Sequence, residues 1–308
     1  MSMPQTLQQK IEELLSEVPH KDLKDAAEAL SDTYRNSLRL GQELINGKIG
    51  VLAYIASRMP ATYQAVSFVI NSVKSKLETL GISTLLDVGA GPATATIAAK
   101  NILGTVNATL IERNGDMVWA GKTLLNDDSV WLNTSAHEKL QNADLVISAY
   151  MLNEMTEQEV VKTIKNLYNS ANKALVIIDN GTKETFLLMK TVRKTLLELG
   201  ANIIAPCANS NNCQNEWCHF STRVTRTKLH KLLKGGDAPY EDEKFTYLVA
   251  TKTPISNNVS RILRHPKILK GRVELEVCSE NGIEKRTITK AQKELFKVAR
   301  KSSWGDTI

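Results

Sequence analysis

Apolar residues recur at helical spacing over the first part of the chain. Leu7, Ile11, Leu14 and Leu15 stand at i, i+4, i+7 and i+8, which predicts helix through residues 6–48. "LAYIASRMPATYQAVSFVINSVKSKLETL" continues the helical pattern, with Pro60 breaking or starting a segment. From residue 84 the pattern changes. Four apolar runs of strand length, "TLLDVGA", "NATLIER", "ADLVISAY" and "KALVIIDN", alternate with helix-length segments, as βαβ units of a parallel sheet do. "TKETFLLMKTVRKTLLELG" follows as a long helix closed by Gly200.

Two more strands are predicted, "ANIIAPC" and then "EKFTYLVATK" about forty residues later. Between them lies an insertion, residues 207–236, made of a cysteine-rich loop and a helix, "STRVTRTKLHKLLKGG". Ser221 is its expected N-cap, and Gly235 and Gly236 its stop. The tail reads as a hairpin, "GRVELEVCSENGIEKRTIT" with Asn281-Gly282 at the turn, and a short basic helix. The expected organisation is a helical region over 1–75, an α/β domain over 76–253, and an extension over 254–308 joined by the linker "PISNNVS".

Composition fits this picture, since 42% hydrophobic and 23% charged residues are ordinary for a soluble globular protein. No apolar run approaches the ~18 residues that span a bilayer. The start, "MSMPQTLQQKIEELLSEV", shows neither signal nor transit bias, so a reducing bacterial cytoplasm without membrane attachment is expected. Charge divides the chain. Residues 1–253 hold 27 basic and 27 acidic side chains; residues 254–308 hold 12 and 6, which supplies the whole net charge of +6. A basic tail points to a polyanion such as nucleic acid, or only to a solvated surface.

"LLDVGAGPATATIAAK" places Gly89 and Gly91 between a strand and a helix, where a tight turn brings backbone close to a ligand. Glu112 ends the next strand, 21 residues after Gly91, where a carboxylate can accept both ribose hydroxyls. The third glycine of the dinucleotide fingerprint is replaced by Ala93-Thr94, which points to another nucleoside cofactor. Asp87, two positions before the first glycine, resembles motif I of the class I S-adenosylmethionine methyltransferases. There the acid lies near the methionine amino group. After the third run the chain reads "SAYMLNE". Tyr150, Asn153 and Glu154 could orient a substrate, yet no evident catalytic loop or nucleophile stands out. Ser135 and His137 are polar residues where an adenine partner is expected, although a surface role suits His137 better.

The chain has four cysteines, spaced Cys207-x5-Cys213-x4-Cys218 with Cys278 sixty positions further on. Four thiolates can close a zinc site or hold a [4Fe–4S] cluster. A Cys3His zinc site using His219 or His230 and four thiols without a common role remain open alternatives. Used as a ligand, Cys278 would clamp the tail to the insertion, making metal-binding energy folding energy. The predicted insertion helix carries Arg223, Arg226, Lys228, Lys231 and Lys234 without one acid, and Arg223, Arg226 and His230 would share a face. With Arg261, Arg264, Lys267, Lys270 and Arg272, these could grip phosphates or offset a thiolate-bound metal.

"PC…C…WCHFSTRVTRTKLHKLLKGGDAPYEDEKFTYLVA", "RILRHPKILKGRVELEVC" and the terminal "ARKSSWGD" closely resemble the Rsm-twenty-two family, methyltransferase-like proteins of the small ribosomal subunit. "YIASRMPATYQAV", "LLDVGAGPATAT" and "YMLNEM" resemble it too, so the resemblance covers about residue 50 to the end. It implies a class I methyltransferase fold, Rossmann-like α/β, with a [4Fe–4S] cluster on Cys207, Cys213, Cys218 and Cys278. It also implies S-adenosylmethionine at Asp87, Gly89, Gly91 and Glu112, and association with small-subunit ribosomal RNA. Ala93 stands where a glycine is common in that family, which narrows the loop. The expected function is a ribosome-associated RNA-binding factor of assembly or translation, monomeric off the ribosome. The alternatives are an active ribosomal RNA methyltransferase and a zinc-stapled protein of the same fold.

Overall fold

Residues 3–36, 45, 47–235, 237–256 and 259–308 are described by the computed structural model, without the side chains of 34–36 and 234. The predicted helix across 37–44 and 46, the stop at Gly236, the Lys234 side chain and residues 257–258 of the linker lie outside the described residues.

Five helices come first: α1 (Gln5–Leu15), α2 (His20–Asn36), α3 (Gly47–Ser57), α4 (Met59–Ser72) and α5 (Lys74–Leu80). In α1 the periodic residues Leu7, Ile11 and Leu15 are the buried ones. Pro60 sits in the first turn of α4, where its missing N–H has no intrahelical partner to lose. The βαβ segment then runs β1 (Thr84–Val88), α6 (Thr94–Leu103), β2 (Asn107–Ile111), α7 (Gly115–Leu125), β3 (Val130–Leu132) and β4 (Ala143–Ala149). A 3-10 turn at Leu152–Glu154 leads to α8 (Glu157–Ser170), β5 (Ala171–Asn180), α9 (Lys183–Glu198) and β6 (Asn202–Ala205). The insertion holds β7 (Phe220–Thr225) and α10 (Lys228–Lys234), and β8 (Tyr240–Thr251) closes the sheet.

Strand order is β3-β2-β1-β4-β5-β8-β6, with β7 also paired to β8. β1 to β5 are parallel, while β8 runs antiparallel to β5, β6 and β7. This is the class I methyltransferase arrangement, Rossmann-like with one late antiparallel strand. Alternate residues along the strands face opposite layers. Leu85, Leu110, Leu145 and Val176 pack under the N-terminal helices with α6 and α7. Leu86, Val146, Leu175 and Ile177 pack against α8 and α9.

β8 is long enough to hold two partners end to end on one edge: β6 along residues 249–251 and β7 along 240–245. The cysteine loop bridges the gap between them. The predicted helix from Ser221 is therefore corrected. Its first part, "STRVT", instead belongs to β7 with Phe220 and Val224 buried, because β-branched residues suit a pleated edge and β8 offers free backbone partners. Helix begins only after Thr227, whose side chain accepts the His230 N–H. Arg223 and Arg226 share no helical face with His230.

The tail forms β9 (Arg261–Ile262), β10 (Lys267–Leu269), β11 (Arg272–Ser279), β12 (Gly282–Thr289) and α11 (Lys293–Lys301). Its small core comprises Ile262, Val273, Leu275, Val277, Ile288, Phe296 and Ala299. In the hairpin Ser279 pairs with Gly282, so Glu280 and Asn281 make the turn, one position before the expected pair. Among the described residues no helix is long and apolar enough to cross a membrane.

Candidate functional site

A cleft of about 1220 Å³ opens at the carboxyl ends of β1, β2, β4 and β5, where ligands bind in open α/β sheets. Gly89, Gly91, Glu112, Tyr150, Asn153 and Glu154 all line it. Gly89 has φ +73, and a Cβ there would stand 2.6 Å from the Met151 sulfur. Glu112 is held by two backbone donors: Gly91 N–H on Oε2 and Asn114 N–H on Oε1, each at 2.8 Å. Its carboxylate is thus fixed at the cleft edge with lone pairs left to accept hydroxyls. Ala93 takes the left-handed φ of 65 as the residue before α6, so it meets the demand a glycine would meet without strain.

Asp87 stands behind the loop and does not line the cleft. It is 1% exposed, and its Oδ2 accepts from Thr96 Oγ1 at 2.7 Å and Thr96 N–H at 3.1 Å, which ties β1 to the first turn of α6. Burial pushes its carboxyl up to about 6 despite those bonds. Asp87 therefore positions the glycine loop.

The segment after β4 is strained. Tyr150 has φ 59, uncommon for a bulky residue, and its phenol donates to Glu243 Oε1 at 3.0 Å. Asn153 donates from its backbone and its side-chain amide to Asp179, a fully buried carboxylate at the end of β5. Burial raises Asp179 to about 6 against these bonds. Glu154 is open to water yet recessed in the concave cleft, where desolvation, then Asp179 and Glu112, push its pKa up to about 7. His137 lies at the rim with Nδ1 3.3 Å from Thr163 Oγ1.

The four cysteines are free thiols brought together from the insertion and from β11. Burial, then Cys207, Cys213 and Cys278, push the Cys218 thiol far up, so all four lie within electrostatic reach. Among the described residues, no three His, Cys, Asp or Glu side chains stand close enough to grip one ion. The donor chemistry nonetheless suits a thiolate-ligated centre. Two buried guanidiniums, Arg193 and Arg261, lie beside the thiols, where they could offset thiolate charge. His219 stacks on Trp217 with centroids 3.9 Å apart, and burial holds its pKa down at about 4. His230 points away to Glu241 Oε1 at 3.3 Å.

The expected phosphate-binding set divides. Arg261 is 3% exposed and donates to Pro206 O and Gly305 O, so it is removed from that set as a buried structural residue. Arg264, half-buried, donates to Trp217 O and lies over the Trp304 ring. Arg226 donates to Gly235 O, Arg223 pairs with Asp242 at 3.3 Å, and Arg272 pairs with Glu274 at 2.9 Å. Lys228, Lys267 and Lys270 are exposed, and Lys231 is partly so. Tyr54, Arg58, Trp217 and Lys244 line the cleft without being expected from sequence. Only Trp217, beside Cys218, carried a local signal.

Residues 48–308 match the family model described as mitochondrial small ribosomal subunit Rsm22. Similar proteins include "Rsm22-cox11 tandem protein 2, mitochondrial" of Schizosaccharomyces pombe, 24% identical over 320 residues, covering 83% of this chain and 42% of that protein. The chain thus spans less than half the length of that relative. "Ribosome assembly protein METTL17, mitochondrial" of Homo sapiens is 24% identical over 341 residues, covering 99% of this chain and 74% of that one. Among solved structures, magnesium protoporphyrin IX methyltransferase from Synechocystis PCC 6803 with bound SAM matches at 14% identity and TM-score 0.43, over 76% of this chain and 97% of that one.

Proposed function

The chain belongs to the Rsm22 family, and from that membership we propose that it binds the small ribosomal subunit through its RNA and acts in assembly or translation. The observation that carries this is the extent of the family match, which takes in the cysteine segment and the basic tail as well as the methyltransferase-like sheet. The ribosome assembly named in the human relative agrees with it. Lys267 and Lys270, exposed around β10, are suited to phosphate contacts that release counterions and weaken with salt. In this proposal the protein is a monomer off the ribosome and works in a reducing compartment, the bacterial cytoplasm. Co-sedimentation with purified small subunits and their precursors at low ionic strength, lost on adding salt, is the expected result. Recovery of the whole protein in the unbound fraction at low salt would overturn the proposal.

For the cleft we propose S-adenosylmethionine. The glycine turn leaves room for close backbone approach, and Glu112 is oriented to accept ribose hydroxyls. When bound, this cofactor supplies an electrophilic methyl group on a cationic sulfonium. The protein's part is to hold that cation in a cleft whose lining includes Glu112 and Glu154, with Asp179 buried behind it as the anchor of Asn153. Active methylation of ribosomal RNA is the second reading, favoured by Glu154, whose pKa of about 7 suits a group that takes a proton near neutrality. Unchanged ribosomal RNA methylation after deletion would end that second reading.

Cys207, Cys213, Cys218 and Cys278 would hold a [4Fe–4S] cluster, with Zn²⁺ as the alternative. In either case the centre fastens the insertion to β11. Protein purified without oxygen should be brown with about four irons and four sulfides; about one zinc would keep the fastening role and remove redox chemistry. Neither metal in folded protein would overturn this assignment.

A further inference from the structure

The cleft is larger than the ~300–1,000 Å³ of common small-ligand pockets, which leaves room beyond one cofactor. Its walls differ. One is the glycine loop with Glu112. The other is built from the end of β5, the start of α9, the start of β8 and Trp217 of the cysteine loop.

Trp217 is held as a fixed plate. Its indole N–H donates to Gly181 O at 2.9 Å. Gly181 is itself locked: its N–H donates to Lys244 O at 2.9 Å, and a Cβ there would stand 2.7 Å from the β8 backbone. The His219 ring closes one face of the indole at 3.9 Å, leaving no space for an ammonium on that side. Lys244 Nζ and Lys183 Nζ lie over the ring at 5.4 and 5.8 Å from its centroid, so they stand on the cleft side. Both lysines are exposed at the cleft mouth. Of the acids on this wall, Asp242 pairs with Arg223 and Glu243 accepts from Tyr150, while Glu184 stands exposed beside Lys183.

A rigid aromatic face overhung by two mobile ammonium groups matches a ligand with a flat π-system joined to a phosphate. We propose that Trp217 is a stacking platform for one unpaired base of single-stranded RNA, whose backbone phosphate is taken by Lys183 and Lys244. The proposal rests on the ribosomal RNA reading above and assigns the substrate side of the same cleft. Binding moves the lysines off the ring and exchanges their weak contact for a phosphate, with no bond made or broken.

The test uses the full chain. A mixed-sequence single-stranded RNA hexamer, its abasic counterpart and adenosine monophosphate are titrated separately, with and without S-adenosylhomocysteine, while tryptophan emission is followed at several salt concentrations. The intact hexamer should quench emission, and Trp217→Leu should remove that quench and weaken binding roughly 5- to 160-fold, the span one base–aromatic stack supplies. Because Trp217 also packs on His219, the exposed variants Lys183→Gln and Lys244→Gln provide a second test. Each should flatten the salt slope by roughly 0.7–1 without lowering thermal stability. Equal affinity for intact and abasic hexamers would overturn the proposal. So would adenosine monophosphate binding as tightly as the hexamer, which would assign a free nucleotide. S-adenosylhomocysteine quenching Trp217 and displacing the hexamer would give the ring to the cofactor instead. Wild-type protein that sediments with small subunits yet ignores the hexamer sinks this inference alone; protein that binds the hexamer yet never sediments sinks the ribosomal reading alone.

Discussion

Replacing Arg261 with alanine tests whether this residue belongs to the fold or to an RNA surface. Its guanidinium is 3% exposed and donates to Pro206 O at 3.3 Å and Gly305 O at 2.7 Å. Its backbone stands opposite Cys278 in the β9–β11 pair. One side chain thus joins the start of the cysteine loop, the tail sheet and the C-terminal turn. Two charge-assisted bonds contribute about 1.5–3 kcal/mol each, and their loss strands two carbonyls. Relief from burying a charge returns part of this. We expect a net loss of about 3 kcal/mol. At roughly 2 °C per kcal/mol for a large domain, the thermal midpoint should fall by about 6 °C. Limited proteolysis should show cuts in 206–219 and in 254–308 appearing together. Lys270→Ala, at an exposed position, should do the reverse: unchanged stability and weaker RNA binding with a shallower salt dependence. An Arg261→Ala protein with an unaltered melting curve and uniformly weaker RNA binding would refute the structural assignment.

Glu112→Gln keeps the shape but leaves one backbone N–H facing an amide, so calorimetry should show S-adenosylmethionine affinity down roughly 10-fold or more with the fold intact. Unchanged affinity would remove Glu112 from the cofactor site. Glu154, with pKa about 7, is mostly neutral below that pH and anionic above it. Affinity for the cationic cofactor should therefore rise between pH 6 and 8, and Glu154→Gln should flatten the profile; an equally steep profile in the variant would assign the titration elsewhere. Cys278→Ser should make the insertion and the tail susceptible to protease together, because one lost ligand unties both. Cleavage at the parental rate in both segments would contradict a shared centre.

The sheet was legible because its strands are short apolar runs separated by helices, a pattern that depends only on burial. The cleft was legible at Gly89 and Gly91, where the backbone takes a left-handed φ, and at Glu112, where a carboxylate follows the second strand. Two errors have physical causes. "STRVTRTKLHKLLK" carries helix-compatible charges, but its β-branched half found backbone partners along β8, a tertiary choice that local propensity does not contain. Arg261 looked like its basic neighbours because burial of an arginine depends on carbonyls supplied 55 and 44 positions away. Asp179 went unnoticed because its role appears only when Asn153, from another strand end, donates to it.

The length of β8 explains why the cleft and the thiols are neighbours. A shorter strand would pair with β6 alone and leave the insertion as a free loop. By extending to Tyr240 it also recruits β7, which draws the cysteine loop back across the sheet edge toward the cleft. Trp217 and Cys218 are consecutive at that crossing. The indole lines the cleft, while Cys218 is buried among the other thiols. Arg264 donates to the carbonyl between them, at Trp217 O, from the connection between β9 and β10 of the tail, whose β11 bears Cys278. The peptide joining Trp217 to Cys218 is therefore common to the cleft wall and to the thiol group. Because the two sites share backbone, loss of order among the thiols is expected to reach the cleft wall as well, through Trp217.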